Sequence, residues 1–385
     1  MRKHFYAVFN NYYPNSAPSN RILSYLEAWE RMDVEVTAVF MLPDRKFSHI
    51  DRQYKNIKII YMWDKFPLHN YICHNILLFW YVNSFIKQLK PGDKVYCMGQ
   101  NYFMSRVVKR ANVDVYQERT ENPKIVKPGK GPYKIGLEQY LVCCKQLKGM
   151  FVISQNLKHF FVENGVAESK MHIVNMTVDP NRFDGIIKKE EKKYIAYCGK
   201  ASNNKDGVDQ LIKAFAIVSP KYPDTLLYII GQAPNKNDKD NNAQLAKQLG
   251  IADKVVFTGV VPYQEMPQML TDATILALDR PDNIQAKYGF PTKLGEYLLT
   301  GNPVVVTAVG DITLFIKDGI NGMVAKPECP EDFASKIEWL LTHPKEANQI
   351  GLKGKKTAML NFNNDVEAKK IVNTILGCIF ETKKT

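Results

Sequence analysis

Lys287-Tyr288-Gly289-Phe290-Pro291-Thr292-Lys293-Leu294-Gly295-Glu296-Tyr297-Leu298-Leu299-Thr300-Gly301 is the stretch on which the reading of this chain turns. Gly289 permits a turn, and Pro291 suits the first position of a helix. That helix would present the backbone N–H groups of Thr292, Lys293 and Leu294 at its positive end, where an anion is favoured. Glu296 follows four residues after Thr292, on the same face. An ionised carboxylate only accepts hydrogen bonds, which suits the vicinal hydroxyls of a ribose. Pro303-Val304-Val305-Val306-Thr307 then reads as a strand. Together these pieces predict a nucleotide-diphosphate site whose donor contacts run from Gly289 and Phe290 to Glu296.

Working outward, strand and helix signals alternate on both sides, as in doubly wound parallel sheets. Upstream, Tyr194–Gly199, Thr225–Gly231, Lys254–Gly259 and Ala273–Leu278 read as strands, with a helix over Gly207–Val218. Polar Pro234–Asn242 reads as a loop before a helix at Ala243–Leu249. Gly199-Lys200 is a strand-to-helix junction, where open α/β sheets place ligands. Lys205 lies five residues on. Two ammonium groups there could neutralise a diphosphate and stabilise its charge as it leaves; solvated surface lysines are the plainer alternative. Gly231, and Val261 after Gly259, end comparable strands beside the same crevice, either as plain turns or as points where backbone approaches the donor.

The first half repeats the rhythm, with strands at Phe5–Phe9, Val34–Phe40, Ile57–Met62, Lys94–Met98, Val113–Gln117, Met150–Ser154 and Lys170–Val178. Asn10–Asn20 reads as a polar loop and residues 124–134 as a basic, proline-containing one. The charged run Lys188–Lys193 reads as the linker. This predicts an N-terminal domain over 1–187, a C-terminal domain over 188–365 and a terminal helix from 366 that packs on the N-terminal domain. A length of 385 residues with 45% hydrophobic content fits two such soluble domains.

Charge is uneven. Residues 1–190 hold 28 Lys and Arg against 17 Asp and Glu, a net +11, while the remainder carries +2 of the total +13. The first half is therefore expected to meet something anionic. The apolar run Ile76–Val82 is too short to span a bilayer and reads as a buried helix, with a membrane-surface helix as the alternative. No secretory signal is visible. The seven cysteines show no zinc spacing, and reduced thiols in a cytoplasmic protein are expected. Glu118-Arg119-Thr120-Glu121 follows a strand; its carboxylates either touch a sugar or acceptor or form a salt-bridged loop, and both readings stay open. Glu121 is the candidate catalytic carboxylate of this half.

Assembled in order, these pieces resemble glycosyltransferase family 4, the group 1 glycosyltransferases of GT-B fold. The residues that carry the likeness are Ser154 through the segment Met176–Phe183, Gly199-Lys200 with Lys205–Phe215, Ile229–Gly231, Val256–Val261, Gly289–Gly301 and Gly319–Gly322. The resemblance implies two Rossmann-like domains facing a cleft, a UDP- or GDP-linked sugar donor held by the second, and transfer with retention to a glycan or lipid-linked acceptor. It implies no cofactor and no obligatory metal. Lys200 and Lys205 match the family's basic phosphate ligands, and Glu296 matches the second glutamate of its paired-glutamate motif. Tyr288 stands where the first glutamate belongs. The acceptor-side Gly-Gly loop is replaced by Tyr12–Asn20.

Surface-polysaccharide synthesis at the inner membrane face is the expected setting, with peripheral contact to anionic lipid. A non-hydrolysing sugar-nucleotide epimerase shares the fold but would need convergent acid and base residues, and none is obvious. The dispersed Lys and Arg argue against nucleic acid.

Overall fold

Buried β-branched and aromatic runs build two separate, wholly parallel sheets in the computed structural model, which describes residues 4–14, 16–43, 46–65, 74–99, 101–110, 112–126, 135–189 and 192–377. The first unit comprises Met1–Asn175 and Asn364–Thr385. Its strands are β1 (His4–Phe9), β2 (Glu35–Phe40), β3 (Ile57–Tyr61), β4 (Lys94–Met98), β5 (Asp114–Arg119), β6 (Gly149–Val152) and β7 (Met171–Ile173). They lie in the order β3-β2-β1-β4-β5-β6-β7. The second unit, Met176–Asn363, contains β8 (Tyr194–Cys198), β9 (Leu226–Ile230), β10 (Val255–Gly259), β11 (Ile275–Leu278), β12 (Val304–Thr307) and β13 (Met323–Ala325). Their order is β10-β9-β8-β11-β12-β13. Strands β6, β8, β11 and β12 are buried along their whole length, as expected where helices cover both faces of a parallel sheet.

The division into units falls at 175/176 and 363/364 rather than near 188. The reason is local bonding. Val178 donates its N–H to the Phe362 carbonyl at 2.8 Å and bridges Asn363. Lys188 Nζ donates to the carbonyl of Ala273 and to Asn302 Oδ1, and the Lys189 N–H to Asp272. Residues 176–189 are thus held by the second unit; 190–191, within the expected linker, lie outside the described residues. The helix Asn364–Leu376 belongs to the first unit, where Trp29 Nε1 donates to the Ala368 carbonyl and Arg31 pairs with Asp365.

Four further elements differ from the sequence expectation. The helix Ala17–Arg31 starts inside the expected polar loop, because the Ser16 side chain caps the Ser19 N–H and Pro18 fits the first turn. Polar Lys236–Gln248 is a solvated helix capped by Asn235. β7 is only three residues long, since the chain leaves the first sheet after it. The helix His74–Gln88 buries Tyr81, Val82 and Phe85, but leaves Ile76, Phe79 and Trp80 61%, 45% and 59% exposed. Ile76, Phe79 and Trp80 thus form an exposed apolar surface rather than core. Among the described residues no helix is long and apolar enough to cross a membrane.

Candidate active site

Strand order in the second sheet reverses between β8 and β11, and open α/β sheets bind ligands outside the carboxyl ends of strands at such a point. Gly199 and Lys200 follow β8; Asp279 and Arg280 follow β11. The helix Thr292–Leu299 is fastened to the same corner by Tyr297. The Tyr297 hydroxyl oxygen accepts the Cys198 N–H at 2.5 Å, and its proton reaches the Cys198 carbonyl at 3.1 Å.

That attachment lays the Lys293 side chain across Gly199. A Cβ on Gly199, whose φ is +147°, would fall 1.8 Å from Lys293 Cε. Glycine is needed here for the lysine to pass. Lys293 Nζ donates to the Tyr197 hydroxyl at 2.9 Å and to the Asp206 carboxylate. Asp206 is 2% exposed; the Tyr197 hydroxyl lies 2.8 Å from its Oδ2, and Arg280 Nε 3.8 Å from its Oδ1. One carboxylate therefore serves two largely buried cations. Arg280 Nη1 has no partner among the described residues.

The electrostatics follow from this sharing. Burial by itself would raise the Asp206 carboxyl, but the Lys293 charge and hydrogen bond, with Tyr197 and Arg280, hold it below the ordinary range. Burial lowers the Lys293 ammonium; Asp206 opposes this, and the nearby charge of Lys205 adds to it. The Asp279 carboxyl, 1% exposed with Oδ2 unpartnered among the described residues, is pushed up to about 8 by burial, then by Asp209 and Glu328, with Lys213 opposing. The corner is thus cationic and holds a carboxyl that stays neutral below pH 8.

The sequence-predicted residues fall into three groups. Lys200 and Lys205 are exposed at this corner, Lys205 on the short helix Asn203–Asp206 capped by Ser202. Thr292 and Lys293 open the longer helix, with first-turn N–H groups that the helix itself cannot satisfy. Pro291 is the residue before that helix rather than its first member, and Gly289 has an ordinary extended backbone. The side chains of Phe290 and Leu294 are core: Phe290 packs on Phe315 and Phe362, and Leu294 is fully buried. The Leu294 N–H also donates to the Pro291 carbonyl at 3.2 Å, which removes it from the expected set of anion donors. Gly231 has φ of +121°, and a Cβ on it would meet the Gly199 carbonyl at 2.0 Å; the close approach is backbone to backbone. Val261 is half-buried just past β10.

Glu296 is 24% exposed and ion-paired with Arg182. Arg182 stacks on the Tyr263 ring at 3.7 Å and donates to its carbonyl. The arginine therefore orients the carboxylate. Sequence reasoning missed Arg182, Asp206 and Arg280. The first two lie inside the family-like segments Met176–Phe183 and Lys205–Phe215, but charge pairing across such distances leaves no periodic signal. Arg280 gave none beyond its place after a strand.

In the first unit Glu118 is not available to a ligand. It is 1% exposed, paired with Arg21 at 2.6 Å and accepts from Tyr25 and Tyr96. Its alternate position on β5 aims it away from Arg119. Glu121 is exposed two residues past β5.

Residues 179–357 match the family described as Glycosyl transferases, group 1. An uncharacterized glycosyltransferase of Methanocaldococcus jannaschii is 26% identical over 54% of this chain and 54% of its own length. The GDP-mannose-dependent alpha-(1-6)-phosphatidylinositol monomannoside mannosyltransferase of Mycolicibacterium smegmatis is 26% identical over 44% of each chain. The match thus spans about half the length of these curated relatives. Among solved structures, Anabaena HepE in complex with UDP-glucose aligns over 97% of this chain and 100% of its own, with a TM-score of 0.73 at 15% identity. That likeness shows the fold: two doubly wound parallel-sheet units of the GT-B type.

Proposed function

We propose that this chain, whose residues 179–357 match the group 1 glycosyltransferases, moves a sugar, with retention, from a nucleotide-diphosphate sugar to a glycan or lipid-linked acceptor. The observation that carries the reading is the cationic corner in which Lys293 and Arg280 share the single carboxylate of Asp206 beside exposed Lys205. A diphosphate there supplies the missing negative charge. Its own charge grows as the bond to the sugar's anomeric carbon breaks, so Lys200 and Lys205 stabilise the leaving group most in the transition state. Glu296, held by Arg182, accepts the ribose hydroxyls. Glu121 is assigned to the acceptor side.

The Anabaena neighbour holds UDP-glucose and the mycobacterial relative is named for GDP-mannose, so uridine and guanosine donors are both carried forward. The membrane setting rests on two features of the first half, its +11 charge and the exposed Ile76, Phe79 and Trp80. A lipid-linked acceptor of a surface-polysaccharide pathway at the cytoplasmic face suits both. Part of the basic loop, residues 127–134, lies outside the described residues. The epimerase alternative has no observation of its own.

The test is kinetic. Lys205→Ala should lower kcat roughly a hundredfold, and Lys200→Ala should also lower kcat, with smaller changes in donor KM for each. Activity should persist in excess chelator. Variants that raise KM alone, or a strict need for added divalent metal, contradict the assignment.

A further inference from the structure

Arg119 is the last residue of β5 and only 5% exposed. Its Nη1 donates to Asn101 Oδ1 at 3.0 Å, and the guanidinium lies over the Tyr140 ring at 5.3 Å. Nε and Nη2 are buried and have no partner, and no described carboxylate lies within ion-pair distance. Glu118 points to the opposite face and is already neutralised by Arg21. A buried guanidinium without a counter-charge is costly, and its removal is frequently stabilising.

The same stretch of chain carries more unanswered donors. Gln117, two residues earlier and therefore on the same face of the strand, contacts the same Tyr140 through Oε1 at 2.7 Å. Its Nε2 is unpartnered, as is Nδ2 of Asn122 in the turn that follows. Both residues are fully buried. Nε and Nη2 of an arginine form the edge that grips a carboxylate or phosphate with two parallel hydrogen bonds. The position is also the carboxyl end of a strand inside a parallel sheet, the side on which such sheets bind ligands.

We infer that the first unit holds an oxyanion site, in which the Nε–Nη2 edge of Arg119, with the amides of Gln117 and Asn122, takes a carboxylate or phosphate group of the acceptor. The assignment to the acceptor rests on the transferase reading; the anion site itself does not. The acceptor is therefore an acidic sugar or a phosphorylated carrier rather than a neutral glycan.

The experiment follows thermal unfolding of the full chain against inorganic phosphate and, separately, glucuronate, with chloride at matched ionic strength as the reference. Wild type, Arg119→Met and Arg119→Lys are compared. Wild type should be stabilised by at least one of the two anions beyond chloride, and the preferred probe identifies the group. Arg119→Met should bind that anion about tenfold or more weakly and should unfold no earlier than wild type in anion-poor buffer. Arg119→Lys should recover part of the anion response. Equal anion responses in wild type and both variants overturn the inference. So does early unfolding of Arg119→Met and Arg119→Lys alike with no anion dependence in wild type, which would make Arg119 structural. UDP and GDP are titrated into wild type in parallel. Stabilisation by either nucleotide without the phosphate or glucuronate effect sinks the oxyanion site alone, and an anion effect that depends on Arg119 with no response to either nucleotide sinks the transferase reading alone.

Discussion

Asp206 and Asp279 lie at the same corner and meet opposite fates, set by their neighbours. Asp206 has two cations and a tyrosine hydroxyl and stays ionised. Asp279 is buried without a cation in contact among the described residues, has carboxylates for company, and is pushed up to about 8, by burial first. The sign of its effect on stability is fixed by linkage. A folded-state pKa above the ordinary 3.8 means that the folded chain binds a proton the unfolded chain has lost. The resulting stability is complete below pH 4 and disappears as pH rises through 8. Asp279→Asn keeps the shape and has no proton to lose. Its stability relative to wild type should therefore grow between pH 4 and pH 8, by a few kcal/mol at most. Denaturant melts across that range read it, and parallel curves for the two proteins contradict the assignment. None of this was legible in the sequence, where Asp279 and Asp206 were ordinary acids; their difference arises from partners brought in by β11 and by the helix Thr292–Leu299.

The elements themselves were largely legible, because buried parallel strands are continuous apolar runs and the helices between them carry their own caps. Ser154, which accepts the Leu157 N–H at 3.0 Å, announces its helix plainly. Elements that depend on tertiary support were not legible. The polar helix Lys236–Gln248 has little apolar stripe to betray it, and the early stop of β7 reflects a chain that leaves for the second unit. Two predictions belong to this scale. Gly231→Ala forces a Cβ against the Gly199 carbonyl at a backbone angle that side chains avoid. It should cost about 2 kcal/mol or more and weaken donor binding by shifting Gly199 under Lys293; a variant as stable as wild type refutes that packing. On the helix His74–Gln88, Trp80→Ser should reduce sedimentation with anionic vesicles at low salt, and wild-type protein should be released by about 0.5 M salt, where charge is screened. Equal binding to neutral and anionic vesicles contradicts an electrostatic attachment.

At the scale of the molecule, the two candidate sites lie at the carboxyl ends of two different parallel sheets. The second gathers cations and an oriented glutamate at its strand-order reversal; the first leaves donors unanswered beside β5. The sequence could indicate the candidate site of the second unit, because a short segment holds its helix start and its glutamate together. It could not indicate Arg182, which reaches Glu296 from 114 residues away in the chain, nor decide which of the residues after β5 was buried as structure. The central claim is that the second unit binds a nucleotide-diphosphate sugar through Glu296 and the lysines. It is tested most directly by thermal unfolding of the full chain against UDP- and GDP-linked sugars, for wild type and Glu296→Gln. At a hundred times its dissociation constant a true donor adds about 2.7 kcal/mol to wild type, and Glu296→Gln should require about tenfold more of it for the same effect. No stabilisation by any nucleotide sugar, or equal stabilisation of the two proteins at sub-saturating donor, contradicts the account.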